Sequence, residues 1–314
     1  MGRGEQRATS RRKLDRLRAL KVAGGAALAA YVTELVAEDR DPEVLEAALA
    51  ALPSPPPREL AQPLRDAWEW FASSGKRRDP GGFVRTRILQ ALAPIATQAD
   101  RDAFIAAIGT YERTPQDPAG PGVLRAAGVA GLHRFDPESA APFAASLLSN
   151  RDGMSPMTGE PAVTAARVLF ATGHELTLFV YAMAVPRLHA DVLGECVRSM
   201  EGLPEPLRAE CVAKFATDPD PVVLLGVCDL VVAARMAEAA SGLLRSLEDT
   251  EVYASLVAAM VASRDAGLAA ALLSHAKTVT AREKLVLLAD SLGLMRGDAG
   301  ADEVLESVRR RLDR

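Results

Sequence analysis

Asp220-Pro221-Val222-Val223-Leu224-Leu225-Gly226-Val227-Cys228-Asp229-Leu230-Val231 is the stretch from which the fold can be read. Val227, Cys228 and Val231 follow Val223 by four, five and eight positions. Those offsets place all four on one face of an α-helix, because a helix turns once in 3.6 residues. Pro221 stands where a helix accepts proline, at its first turn, since the N–H it lacks has no partner there.

The same offsets recur along the chain. They run from Val44 (Ala48, Leu49, Leu52), Val84 (Ile88, Leu89, Leu92), Val192 (Cys196, Val197, Met200) and Val252 (Leu256, Val257, Met260). Leu124 gives a slightly degraded set, Gly128, Val129 and Leu132, and two weaker copies start at Thr164 (Val168, Leu169) and Lys284 (Leu288, Ala289, Leu292). In order, the eight starts are spaced by 40, 40, 40, 28, 31, 29 and 32 residues. Such spacings are those of helical-hairpin repeats. Second helical segments are expected between the stripes, at 58–72, 99–113, 137–149, 174–185, 204–217, 235–248, 265–277 and 301–313. Breakers such as Pro53-Ser54-Pro55-Pro56-Pro57, Gly81-Gly82 and Asp152-Gly153 separate many of the segments.

A hairpin of this kind cannot bury its stripe alone, so neighbours must stack. The expected fold is therefore all-α: an αα-superhelix, or solenoid, of about eight stacked helical hairpins. Composition agrees. Hydrophobic residues make up 49% of the 314-residue chain and aromatics only 4%, so the core rests on Ala, Leu and Val. The organisation expected is a basic arm and amino-terminal helix over 1–38 and a repeat array over 39–314. The change from 40-residue to roughly 30-residue units suggests a bend near 150–160.

Asp41-Pro42-Glu43-Val44, Asp220-Pro221-Val222-Val223 and Val123-Leu124-Arg125-Ala126-Ala127 resemble the first helix of HEAT repeats. The resemblance covers about residues 40–314 and is one of pattern, which armadillo-like arrays also fit. The chain departs from the arginine and aspartate positions of that family in most units. A HEAT-like array implies a scaffold that grips a partner protein on its concave face, lined by the second helix of each unit.

Charge is unevenly placed. Residues 1–21 carry eight basic side chains against Glu5 and Asp15, so the whole chain's −4 leaves −10 on the remainder. An acidic body repels phosphate backbones. The arm, with Arg11, Arg12, Lys13, Arg16 and Arg18, is the exception; it reads as a solvated tail, as a contact for nucleic acid or an acidic partner, or as a membrane tether. Ser10-Arg11-Arg12-Lys13-Leu14 also resembles the start of a twin-arginine export signal, with Ala27-Leu28-Ala29 as a cleavage site. Asp15, Arg16, Arg18 and Lys21 interrupt the apolar region such a signal needs, so the cytoplasm is the expected compartment. No segment is long and apolar enough to be expected to span a membrane.

Candidate partner-binding residues cluster near Trp70. Leu60, Leu64, Trp68 and Phe71 follow a core stripe, while Trp70 lies off it, with Lys76, Arg77, Arg78, Arg85 and Arg87 nearby. An alternative comes from a second resemblance. Some alkylpurine DNA glycosylases are HEAT-like and use tryptophans with an aspartate on a basic face, and Asp66 and Trp70 are one helical turn apart. A third alternative is a HEAT-like lyase or metal hydroxylase: His174-Glu175 resembles the paired motif of the deoxyhypusine hydroxylases, but one copy stands where that chemistry needs several. Cys196, Cys211 and Cys228 are too widely spaced for a disulfide framework or metal site and read as small core residues. Gly24-Gly25 and Gly81-Gly82 follow no strand, so they do not read as nucleotide-binding loops. No cofactor or metal is expected, and a protein is the expected partner.

Overall fold

A computed structural model describes residues 3–113, 119–184, 189–295 and 300–313. Among these residues the chain is all-helical and has no strand. Two compact units divide it, residues 1–168 and 169–314, and the boundary falls inside one helix, Ala162–Ala171.

The first unit opens with α1 (Arg3–Ala23), α2 (Gly25–Glu38), α3 (Pro42–Leu49), α4 (Ala61–Ala72), a one-turn α5 (Gly75–Arg78) and α6 (Phe83–Leu92). It continues through α7 (Arg101–Ile108), α8 (Gly122–Phe135), α9 (Pro137–Ser149) and the start of α10 (Ala162–Ala171). α1 is no loose tail. It packs on α2 and α3, burying Leu14 and Leu17, and Lys13 Nζ lies 2.6 Å from Asp39. Gly24 and Gly25, both left-handed, make the sharp turn between α1 and α2 that a residue with a Cβ would strain. Beyond it α2 packs on α4, α4 on α6 and α6 on α8, while α8 also carries α7 and α9.

The second unit contains α11 (Glu175–Ala184), α12 (Ala190–Arg198), α13 (Glu205–Phe215), α14 (Pro221–Ala233), α15 (Ala237–Ser246), α16 (Thr250–Ser263), α17 (Ala266–Thr278), α18 (Arg282–Leu292) and α19 (Ala301–Leu312). Its packing alternates. α12 lies on α14, α14 on α16 and α16 on α18, forming one layer; α15 lies on α17 and α17 on α19 in a second. α14 also packs on α15, α16 on α17 and α18 on α19, each its neighbour in sequence.

Aspartates start many of these helices. Asp41, Asp136, Asp220, Asp249 and Asp265 each accept a bond from a backbone N–H in the first turn of α3, α9, α14, α16 and α17. A cap of this kind contributes about 1 kcal/mol to its helix. Proline follows the aspartate in α3, α9 and α14.

The stripes read from sequence are the buried faces. Val44, Val84, Leu124, Val192, Val223 and Val252 are all buried, with nearly all of their partners at the four, five and eight offsets. The eighth copy needs correction. In α18 the buried set is Leu285, Leu288 and Leu292, one residue later at its start, while Lys284 reaches out to donate to the Leu247 carbonyl at 2.6 Å. A lysine at that register escapes to a carbonyl and an aromatic face, and Leu285 takes the core place. The segment expected as helix over 99–113 also ends early. α7 stops at Ile108, Gly109 caps it, and Tyr111 to Arg113 are irregular; the Tyr111 ring lies against Arg125 and Glu112 pairs with Arg85.

Candidate functional site

α4 turns Leu64, Ala67, Trp68 and Phe71 inward and leaves Trp70 half-buried on its flank. The Trp70 ring meets Phe71 edge-on, with centroids 4.7 Å apart and planes at 81°. The short α5 folds back over the end of α4. Arg78 thereby lies over the indole, 4.0 Å from its centroid, and Nη1 donates to the Trp70 carbonyl and, at 2.8 Å, to Ser73 Oγ. The cation holds the indole in one orientation, and Lys76 and Arg77 stand exposed beside it. Arg87 is exposed on α6, bonded to Gln90 at 3.3 Å, and borders a small cleft of about 180 Å³ with Pro53, Ser54 and Pro94.

Arg85 does not belong to that surface. Its side chain is 2% exposed and held from every side. Nε donates to Asp79 Oδ2 at 3.1 Å, and Nη1 and Nη2 grip the two Glu112 oxygens at 2.8 and 2.7 Å. Burial opposes its charge, but the bonds to Glu112 and Asp79 outweigh this and raise its pKa. Asp79 also accepts from the backbone N–H groups of Val84 and Arg85, so one carboxylate both caps α6 and neutralises the arginine. A contact residue must reach solvent, and this one cannot.

Arg125, which sequence reasoning left unassigned, repeats the arrangement forty residues on. It is fully buried; Nη2 donates to the Ala119 carbonyl at 2.9 Å and to the Gly153 carbonyl, and the guanidinium lies 4.4 Å from the Tyr111 ring centroid. Each arginine bonds back six residues and forward 27 or 28, and both follow directly on the first residue of a stripe. Leu45, at the same place in the first copy, is also fully buried. The 40-residue register was the signal that could have moved Arg85 into the core.

The basic residues of α1 divide into engaged and free groups. Lys13 is paired with Asp39, whose bond raises the lysine pKa against its partial desolvation. Arg16 lies 4.1 Å over the Tyr31 ring, and Arg18 pairs with Asp15 at 2.9 Å. Arg11 and Arg12 are exposed. Arg7, Arg11 and Arg18 line a groove of about 620 Å³ with Ser10, Leu14, Asp41 and Glu43.

Cys196, Cys211 and Cys228 are buried, and burial pushes Cys211 and Cys228 up to about 12 and Cys196 further, so all three stay thiols. His174 is exposed and bonds Thr172 at 3.0 Å, while burial, with Glu201 nearby, raises the pKa of Glu175. Among the described residues no group of three His, Cys, Asp or Glu could hold a metal ion. In the second unit His275 bonds Tyr253 at 3.0 Å; burial, reinforced by Lys284 and Arg245, lowers its pKa. No helix of the described residues is long and apolar enough to cross a membrane.

No family model, curated protein or solved structure matches the chain significantly.

Proposed function

We propose that the chain is a scaffold of HEAT-like helical hairpins, a solenoid in kind, that binds a partner protein and catalyses no reaction of its own. One observation carries this reading: in residues 169–314 the first helices of successive hairpins pack α12 on α14 on α16 on α18, and α12, α14 and α16 bury the same stripe. Packing of this kind makes each hairpin depend on its neighbours and leaves the outward faces of the second helices free for a partner. In the first unit the contact surface is Trp70 with Lys76, Arg77 and Arg78, on and after the second helix of a hairpin, while Arg87 stands on α6 at the cleft with Pro53, Ser54 and Pro94. Arg78 locks the indole ahead of contact, which reduces the ordering a partner must impose. Arg85 is left out of the surface because it is buried.

The test is a nuclease-treated pull-down from host lysate with the full chain, Trp70→Ala and a Lys76/Arg77→Ala pair, each checked by circular dichroism. A defined protein partner retained by the full chain and lost from both folded variants is expected. A partner bound equally by all three would overturn this surface, and recovery of nucleic acid alone before nuclease would overturn the protein-scaffold reading.

A further inference from the structure

We propose that the outer ridge of α1, formed by Arg7, Arg11 and Arg18, docks the phosphate backbone of a nucleic acid. This does not rest on the protein-scaffold reading and concerns a different surface. The three arginines fall at steps of four and seven residues, so a helix sets them in one line about 16 Å long. Along one strand of a duplex that length covers about five nucleotide rises. All three line one groove, with Leu14 between them at its floor.

The structure separates these charges from those used in folding. Lys13 is taken by Asp39, and Arg16 lies on Tyr31. Arg7 and Arg11 have no hydrogen-bond or ion-pair partner among the described residues. Arg18 is paired with Asp15 on the surface, yet its side chain remains 74% exposed and can turn to a second anion. A planar guanidinium donates to two phosphate oxygens at once in a fixed fork, a geometry that an ammonium lacks.

The far wall of the groove, Asp41 and Glu43, narrows the choice of ligand. Asp41 is engaged by Ser10 at 2.7 Å and by the first N–H groups of α3. Glu43 is exposed and repels an anion, so a phosphate chain must run along the outer side of the ridge. The remainder of the chain, at −10, keeps the nucleic acid from spreading beyond α1.

Two other anionic partners fit less well. A membrane-lying helix needs an apolar face to insert, and α1 turns Leu14 and Leu17 into the fold. An acidic peptide needs a pocket for an anchoring side chain, whereas Leu14 shows only 9% of its surface at the groove floor. A phosphate backbone needs only the spaced cations.

Fluorescence anisotropy with a labelled 20-base-pair duplex and a 20-nucleotide single strand, over 25–200 mM salt, tests the proposal on the full chain. Four proteins are compared: the unaltered chain, Arg7/Arg11/Arg18→Gln, Arg7/Arg11/Arg18→Lys, and a charge-matched control, Arg245/Arg309/Arg310→Gln. Removal of three phosphate contacts should flatten the log–log salt slope by about 2.7 on duplex or about 2.1 on single strand, with at least a roughly ten-fold loss of affinity at 50 mM. The lysine variant should keep the slope with weaker affinity, and the control should keep both. Equal losses in the ridge and control variants would overturn the proposal, because net charge alone would then explain them. So would absence of binding to either nucleic acid at 25 mM, or binding confined to vesicles containing 30% phosphatidylserine. Circular dichroism checks the fold of the ridge variants; should the glutamine triple unfold, the single Arg7→Gln and Arg11→Gln variants carry the test, each expected to lower the slope by about 0.9 on duplex.

Discussion

Replacing Gly226 by alanine tests a close approach of α12 and α14 in the second unit. A Cβ built at Gly226 stands 2.5 Å from the Gly194 carbonyl oxygen on α12 and 3.0 Å from its Cα. Real Cβ atoms do not come within 3.0 Å of a neighbour, so α12 and α14 must part by about 0.5 Å or more. The obstacle is backbone, which no rotamer change can move aside. A gap of about 0.5–1 Å forfeits a quarter to a half of each dispersion contact along the seam. Overpacking of a close-packed interior costs about 1–3 kcal/mol, and alanine's better helix propensity returns about 1 kcal/mol. Because the clash is with backbone, the net loss should lie near the top of that range, about 1–2 kcal/mol. Urea unfolding followed by circular dichroism reads this as a midpoint lowered by about 0.5–1 M, for a slope of about 2 kcal/mol per molar. Gly242→Ala on α15, where nothing lies within 4 Å of the new methyl group, supplies the internal comparison and should gain about 0.5–1 kcal/mol. A Gly226→Ala midpoint at or above that of the unaltered chain, with Gly242→Ala raised as expected, would refute the reasoning from close approach.

Three further outcomes are expected. Arg85→Met leaves Asp79, 3% exposed, and Glu112 without their cation and should cost about 3–5 kcal/mol in urea unfolding, whereas Glu112→Gln, which leaves the Asp79 pair intact, should cost clearly less. His275 is pulled below its ordinary value by burial, so near pH 6.5 the unfolded chain takes up a proton that the folded chain does not. Stability should therefore fall as pH drops below about 6.5 and level off below the folded pKa; His275→Gln should remove that component, seen as a smaller pH dependence of the urea midpoint between pH 7 and 5. Leu17→Ala, at the interface of α1 with the rest of its unit, should cost about 2–5 kcal/mol locally and raise amide exchange throughout α1 while leaving exchange in α14 and α16 unchanged.

Much of the first level of structure was legible from residue order. The offsets of four, five and eight identified the inward face of nearly every first helix, and the Asp-Pro pairs at Asp41-Pro42 and Asp220-Pro221 marked two helix starts, because both signals act within one or two turns of chain. The second helices were found as elements with ends displaced by a residue or several. Arg85 was misplaced for a different reason. Its neighbours in sequence, Lys76, Arg77, Arg78 and Arg87, are cations in a polar loop or on an exposed face, and its burial depends on Glu112, 27 residues away, as well as on Asp79. The α1 helix was read as an arm because its charge dominates its composition, although Leu14 and Leu17 are enough to seat it.

The sequence by itself determined the all-helical class, the stripes and the breaks between them, since helical periodicity and local spacing are properties of neighbouring residues. Only the tertiary structure decided which charges are free and which are structural. Ion pairing and desolvation depend on groups brought together from distant parts of the chain: Asp79 and Glu112 turn Arg85 into a core residue, Asp39 consumes Lys13, and Arg7 and Arg11 are left facing water.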